Sequence, residues 1–332
     1  MDQARITPMT PKPIMELATA FQRSRPLLTA FELGLFTTLT ADARTSEETA
    51  DALCANPRAT DRLMNALVAL GLLEKRDGRF SNTPLAETYL VKGRPEYMAG
   101  LGHTNHLWDT WSQLTEVVRS GEPAAAAGIN ERGDDWLRPF IAAMHFRARQ
   151  SAAEVVGLLD LDGVSRLLDV GGGSGAYAMA FARAGRGISA VVFDLPNVVP
   201  LAKMYIAQEG LAAEVATATG DYLSAPLGGG YDMVFMSAVV HSNSADDNRL
   251  LMRKSAAALN PGGQIVVQDF LVNEARDGPL LPALFALNML VGTPEGDTYT
   301  ESEVRSWMTE AGCRVIVRKD TTFGTNLMIG RI

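Results

Sequence analysis

The segment that most constrains this chain is Leu167-Leu168-Asp169-Val170-Gly171-Gly172-Gly173-Ser174-Gly175, an apolar run that ends in a carboxylate and passes through glycines into a helical stretch at Ala176. Glycines permit a tight turn and let a ligand reach the backbone at a helix N-terminus, so the segment predicts a strand, a ligand-binding loop and a helix. Short apolar runs follow at 188–193, 214–217, 231–236 and 264–270, each separated from the next by a helical or loop crossover. Strand and helix repeated in this way predict an α/β fold with a parallel, doubly wound, Rossmann-like sheet. The chain ends differently, because 313–319 and 326–332 are extended runs joined by a short Gly-containing link. They predict an antiparallel hairpin on the sheet edge.

The glycine spacing alone leaves the ligand open, since Gly171-x-Gly173-x-x-Ala176 also fits the dinucleotide fingerprint. Asp169 discriminates. A carboxylate two residues before the first glycine would repel a pyrophosphate, whereas it would attract an ammonium or sulfonium group, which favours S-adenosylmethionine over NAD. Asp194 closes the run Val192-Phe193-Asp194, and its distance from Gly171 (194 − 171 = 23 residues) suits an acid that accepts ribose hydroxyls of either cofactor. Gly220-Asp221-Tyr222 closes the next run and places a third carboxylate where an adenine amino group would lie. Three acids at successive strand ends, behind a glycine loop, occupy the edge along which open α/β sheets bind ligands.

The N-terminal half reads as mainly helical, with Ile14, Leu17, Ala18, Phe21, Leu27, Leu28, Ala30, Phe31 and Leu33 at helical spacing. Thr45 or Ser46 can cap a helix, Asn56-Pro57 breaks it before a second helix over 58–70, and Asp77-Gly78 lies between short extended runs. Two helices and a hairpin make a winged helix. A DNA-reading role is disfavoured by charge: Arg58, Arg62, Lys75, Arg76, Arg79 and Lys92 face seven Asp/Glu between Thr45 and Lys92, and the whole chain carries −8. A dimerisation module is the expectation, with Leu17, Phe21, Leu28 and Phe31 offering apolar surface to a second copy. The domains expected are 1–98 for this module and 99–332 for the α/β domain, with a helical connector over 99–162. Two cysteines build neither a zinc site nor a disulfide framework. Residues 1–5 lack a basic leader and no apolar run reaches about 18 residues, so a cytoplasmic protein without a membrane anchor is expected.

Asp169-Val-Gly-Gly-Gly-Ser-Gly175, Phe193-Asp-Leu-Pro196, Gly220-Asp-Tyr222 and Asn260-Pro-Gly-Gly-Gln264, in this order and spacing, resemble the caffeate/hydroxyindole-type O-methyltransferases. The resemblance covers nearly the whole chain. It implies a class I methyltransferase fold behind an N-terminal winged-helix dimerisation domain, S-adenosylmethionine as cofactor, a homodimer, and transfer to a hydroxyl of a small aromatic or polyketide-like acceptor. Cofactor contacts are expected at Asp169, Gly171, Gly173, Gly175, Asp194, Leu195, Gly220, Asp221, Tyr222 and Ser237. A phenol with pKa near 10 benefits from a base that removes its proton, and His241 lies at the cofactor edge in the position of the family's general base. Asp269 matches the carboxylate that orients it. Departures from the family pattern are His241-Ser242-Asn243 where His-Asp-Trp is common, Ser237 at a lysine position, and Thr298 at a second carboxylate position. Met144 and Phe146 on the connector helix and Phe285, Asn288 and Met289 on the helix after Asp269 are read as pocket walls, and the resemblance supports Met144 and Met289 in that role. No Asp/Glu/His cluster has metal-ligand spacing, so a metal-dependent mechanism is disfavoured. The competing expectations are an NAD-dependent oxidoreductase, a winged-helix ligand sensor, and a relative that binds the cofactor but performs other chemistry.

Overall fold

The computed structural model describes residues 10–124, 127–184 and 187–332; residues 1–5, where no basic leader is expected, lie outside them, as do two positions of the connector expected over 99–162. The chain forms two units, 1–105 and 106–332.

In the first unit local signals decide the elements. Thr45 accepts from the Glu48 amide while Glu48 bonds back to the Thr45 amide, and this capping box opens the helix Ser46–Ala52. Asn56 caps the helix Pro57–Ala69, whose first residue is the proline. Strands β1 (Leu73–Arg76) and β2 (Arg79–Asn82) pair antiparallel, and the turn between them holds Asp77 and Gly78 at positive φ, as a tight hairpin requires. Phe36, Met64, Leu67 and Phe80 fill the core. Two residues expected on the dimer-facing surface belong to this unit's interior instead: Leu28 is buried, and Phe31 packs half-buried with its ring stacked on Tyr97. Apolar periodicity marks a buried face without saying what buries it. Leu17 and Phe21 remain 79% and 51% exposed.

The second unit is a seven-stranded sheet. Its strands are β3 (Arg166–Val170), β4 (Ser189–Asp194), β5 (Val215–Thr219), β6 (Tyr231–Ser237), β7 (Leu259–Asp269), β8 (Val315–Asp320) and β9 (Asn326–Arg331). Their order is β5-β4-β3-β6-β7-β9-β8, parallel except for β9, which runs antiparallel to both neighbours. The C-terminal hairpin therefore places β9 inside the sheet and only β8 at its edge. Burial explains the choice: Asn326–Gly330 is wholly buried, whereas Val315, Arg318 and Lys319 of β8 are exposed. Alternation along the strands divides the core between the two faces. Leu167, Met233, Phe235 and Val266 pack on one, and Leu168, Val234, Ile265 and Val267 on the other. Each such side chain contributes about 1.5–3 kcal/mol by its burial. Strand order reverses around β3, leaving a crevice beyond the C-terminal ends of β3 and β6, where such sheets bind ligands. No helix among the described residues is long and apolar enough to cross a membrane.

Candidate active site

The glycine loop leaves β3 at that crevice and enters the helix Ala176–Arg183 through Gly175, which holds a left-handed conformation. Gly171 and Gly173 share that conformation. Space excludes side chains as well: a Cβ at Gly171 would lie 2.8 Å from Val239, and one at Gly172 would lie 2.7 Å from Asp169 Oδ2. Gly172 thus passes directly over the Asp169 carboxylate. Asp169 is 1% exposed and its Oδ2 has no hydrogen-bond partner among the described residues. Burial first, and the Asp194 charge second, push its pKa up to about 8 against the opposing pull of the Ala178 amide. A cation beside it would favour its ionised form, and the amino-acid end of S-adenosylmethionine carries one.

Asp194 ends β4 and ties the loop down. Its Oδ2 accepts from the Gly173 N–H at 2.7 Å and its Oδ1 from the Leu195 N–H at 2.7 Å. Burial raises its pKa to about 6, and those two amides oppose the rise. A carboxylate offers about four acceptor sites, so lone pairs remain for ribose hydroxyls. Gly220 follows β5, where a Cβ would strike the Phe193 ring at 2.6 Å. Asp221 is exposed and accepts from the Leu223 N–H, and the Tyr222 hydroxyl donates to Asn243 Oδ1 at 2.9 Å. The loop is clamped by a residue that sequence reasoning missed. Lys254 Nζ donates to the carbonyl oxygens of Tyr222, Leu223 (2.8 Å) and Ala225 (2.7 Å). Ser237 ends β6 facing the Tyr177 hydroxyl, which bonds Ser151 Oγ at 2.8 Å. These residues fit the cofactor: Asp169 for the ammonium end, Asp194 for the ribose, and the 220–222 loop for the base.

His241 lies in a single helical turn, Val240–Ser242, just beyond β6. Its Nδ1 bonds Asp269 Oδ1 at 2.7 Å, its backbone N–H donates to Asp269 Oδ2 at 3.3 Å, and the Phe270 N–H donates to Oδ1 at 2.8 Å. With an acceptor on Nδ1–H, the neutral ring presents the Nε2 lone pair. Both residues are buried, and the Phe285 ring meets the imidazole edge-on at 4.8 Å. The departure at Asn243 has a visible role, since this residue joins the Tyr222 hydroxyl on one side to Asn248 Oδ1 on the other. Thr298 is 1% exposed and brings no charge to its position.

Asn288 and Met289 lie one turn beyond Phe285 on the helix Leu280–Gly292, so the face that meets His241 also carries Asn288 and the buried Met289. Phe270 packs against Phe285 at 4.7 Å. Trp111, also missed from sequence, donates from Nε1 to Asn288 Oδ1 at 2.9 Å. Met144 and Phe146 sit half-buried on either side of His145 in the helix Asp134–Leu158. His145 reaches the glycine loop, with Nδ1 2.9 Å from Ser174 Oγ, and stacks on Tyr205. Burial, with Arg149 adding to it, pushes its pKa down to about 4, so the ring is neutral. No short-range signal announces the Lys254, Trp111 or His145 contacts.

A doubly wound sheet with an acid-lined glycine loop at its switch point defines an S-adenosylmethionine-dependent methyltransferase of class I. More narrowly, the chain belongs to the O-methyltransferase family, whose catalytic domain matches residues 111–314 and whose dimerisation domain matches residues 15–92. S-Adenosylmethionine is its cofactor. The chain is 36% identical over 309 residues to the 3-hydroxy-5-methyl-1-naphthoate 3-O-methyltransferase of Streptomyces sahachiroi, covering 91% of this chain and 89% of that one. It is 33% identical over 327 residues to the N,N-dimethyltransferase OxyT of Streptomyces rimosus, covering 93% of each. Among solved structures it resembles human N-acetylserotonin methyltransferase in complex with S-adenosylmethionine, with a TM-score of 0.84, 26% identity, and coverage of 100% and 99% of the two chains.

Proposed function

We propose that this protein transfers a methyl group to a hydroxyl of a small aromatic or polyketide-like acceptor, with His241 as general base, and works as a homodimer. The observation that carries the reading is the His241–Asp269 pair, 2.7 Å apart and buried at the cofactor edge of the sheet against an aromatic wall. S-Adenosylmethionine supplies an electrophilic methyl on a sulfonium and leaves as a neutral thioether. His241 Nε2 takes the hydroxyl proton as the oxygen attacks, and Asp269 stabilises the imidazolium that results. Phe285 and Phe270 offer the acceptor ring an apolar wall and keep water from the oxygen. The proton leaves Nε2 for solvent once the methylated product departs.

The polar feature of this wall has a defined sense. Indole Nε1–H only donates, so Asn288 must turn its oxygen to Trp111 and present its amide N–H donors elsewhere. An acceptor carrying a carbonyl or carboxylate on the same ring as its hydroxyl suits that donor. The naphthoate methylated by the Streptomyces sahachiroi relative is such a molecule, which supports the reading.

A test uses methyl-¹³C-labelled S-adenosylmethionine with hydroxynaphthoates, hydroxyanthraquinones and their amino analogues. The labelled carbon is expected on oxygen, with the carbonyl-bearing phenols preferred. Label appearing on nitrogen of the amino analogues, with the phenols untouched, would place this chain with its N-methylating relative and overturn the proposal.

A further inference from the structure

We infer that Arg276 is a positioning residue for the reaction, holding through segment 296–299 the backbone turn that carries His241; the inference rests on the reading of His241 as the base. Two carbonyl groups of that turn are gripped by the segment. The Asp297 N–H donates to the His241 carbonyl at 2.9 Å, and the Tyr299 hydroxyl donates to the Asn243 carbonyl at 2.5 Å. The approach is so close that a Cβ on Gly296 would lie 2.5 Å from the His241 carbonyl oxygen. Segment 296–299 is in turn fixed from the far side. Arg276 Nη1 donates to Asp297 Oδ2 and to the Thr298 carbonyl, both at 3.0 Å, and Nη2 donates to Glu303 Oε1 at 2.7 Å. Arg276 holds a left-handed conformation, φ 59°, in the loop that follows β7.

The loop thus extends the work of the strand before it. Asp269, at the end of β7, orients the imidazole through its side chain, and Arg276, seven residues on (276 − 269), steadies the same residue through its main chain. Thr298, where the resemblance leads one to expect a second carboxylate, contributes its carbonyl to this brace. A stabilising role for the fold alone is a poor explanation, because Arg276 and Asp297 are both 43% exposed, and exposed pairs add little to stability. Placement is far more sensitive, since a shift of about 1 Å in a reacting group can cost roughly 10²-fold in rate.

The test compares Arg276→Met, Arg276→Lys, His241→Ala and the Met/Ala double variant as intact dimers. The readings are turnover of a hydroxynaphthoate, S-adenosylmethionine affinity, melting temperature, and the ring ¹⁵N signals of His241. Arg276→Met is expected to lower kcat about tenfold, to leave affinity and melting nearly unchanged, and to broaden the His241 ring signals. Arg276→Lys should recover part of the loss, and the double variant should be no slower than His241→Ala. Wild-type kcat and sharp ring signals in Arg276→Met, beside a slow His241→Ala, would overturn the inference and leave the base assignment standing. An equal tenfold loss in the His241→Ala background, or a kcat loss matched by lost cofactor affinity and melting, would also overturn it. Wild-type turnover in His241→Ala would remove the base assignment itself and the inference with it.

Discussion

Replacing Asp169 by Asn separates what this carboxylate costs the fold from what it gives to cofactor binding. In the free protein its pKa is raised from 3.8 to about 8, by burial and then by Asp194. Between those two values the folded state holds a proton that the unfolded chain has lost, so stability falls as pH rises through the window. A rise of that size corresponds to on the order of 5 kcal/mol of destabilisation at pH 8 and almost none at pH 4. Asn has the same shape and no charge to bury. The ligand-free variant is expected to melt well above wild type at pH 8 and close to it at pH 4. Binding works in the opposite direction, because a cation beside the carboxylate favours its ionised form. Uptake of S-adenosylmethionine should expel a proton below pH 8 and tighten by up to about tenfold per pH unit until ionisation is complete. Asp194, raised to about 6, shares the titration, so the protons belong to the pair. The Asn variant should lose most of this slope and, near pH 8, about 10- to 150-fold in affinity, as befits a charged hydrogen bond of about 1.5–3 kcal/mol. Scanning calorimetry without ligand and titration calorimetry in two buffers of different ionisation enthalpy read both effects. Wild-type binding that is pH-independent and releases no proton, or an Asn variant that binds normally and melts lower at pH 8, would refute the reasoning.

Lys254→Met removes the donor shared by three carbonyl groups of the 222–225 loop, so KM for S-adenosylmethionine should rise about tenfold or more with kcat little changed; an unaltered KM in steady-state kinetics would contradict that role. Leu17→Glu places a charge on an exposed apolar position of the helix Lys12–Ala18 within the dimerisation domain. Light scattering at micromolar concentration should show a dimer for wild type and a shift toward monomer for the variant, and a monomeric wild type would defeat the expectation.

Features whose cause is local were legible in the sequence. The glycine loop, the acids near the ends of β3 and β4 and in the 220–222 loop, and the caps at Thr45 and Asn56 each depend on a few neighbouring residues. His241 and Asp269 are 28 residues apart, yet parallel strands β6 and β7 bring their ends together, so topology sufficed. What was illegible depends on distant partners. Trp111 and Asn288 are 177 residues apart, and His145 meets Ser174 across 29. Lys254 lies on an amphipathic helix, where a lysine ordinarily faces solvent, and nothing in its surroundings reports the three carbonyl groups it finds. Leu28 and Phe31 show the same limit within the first unit, where apolar spacing could not tell an internal face from an external one.

In the proposed mechanism a buried histidine, oriented by Asp269, removes the acceptor proton. The most direct measurement is single-turnover methyl transfer by His241→Ala and by wild type, each saturated with S-adenosylmethionine, to a hydroxynaphthoate across a range of pH. The variant is expected to react about 10²- to 10⁴-fold more slowly, to keep its cofactor affinity, and to speed up only as the acceptor hydroxyl ionises by itself. A variant that transfers methyl at the wild-type rate, with the wild-type dependence on pH, would contradict it.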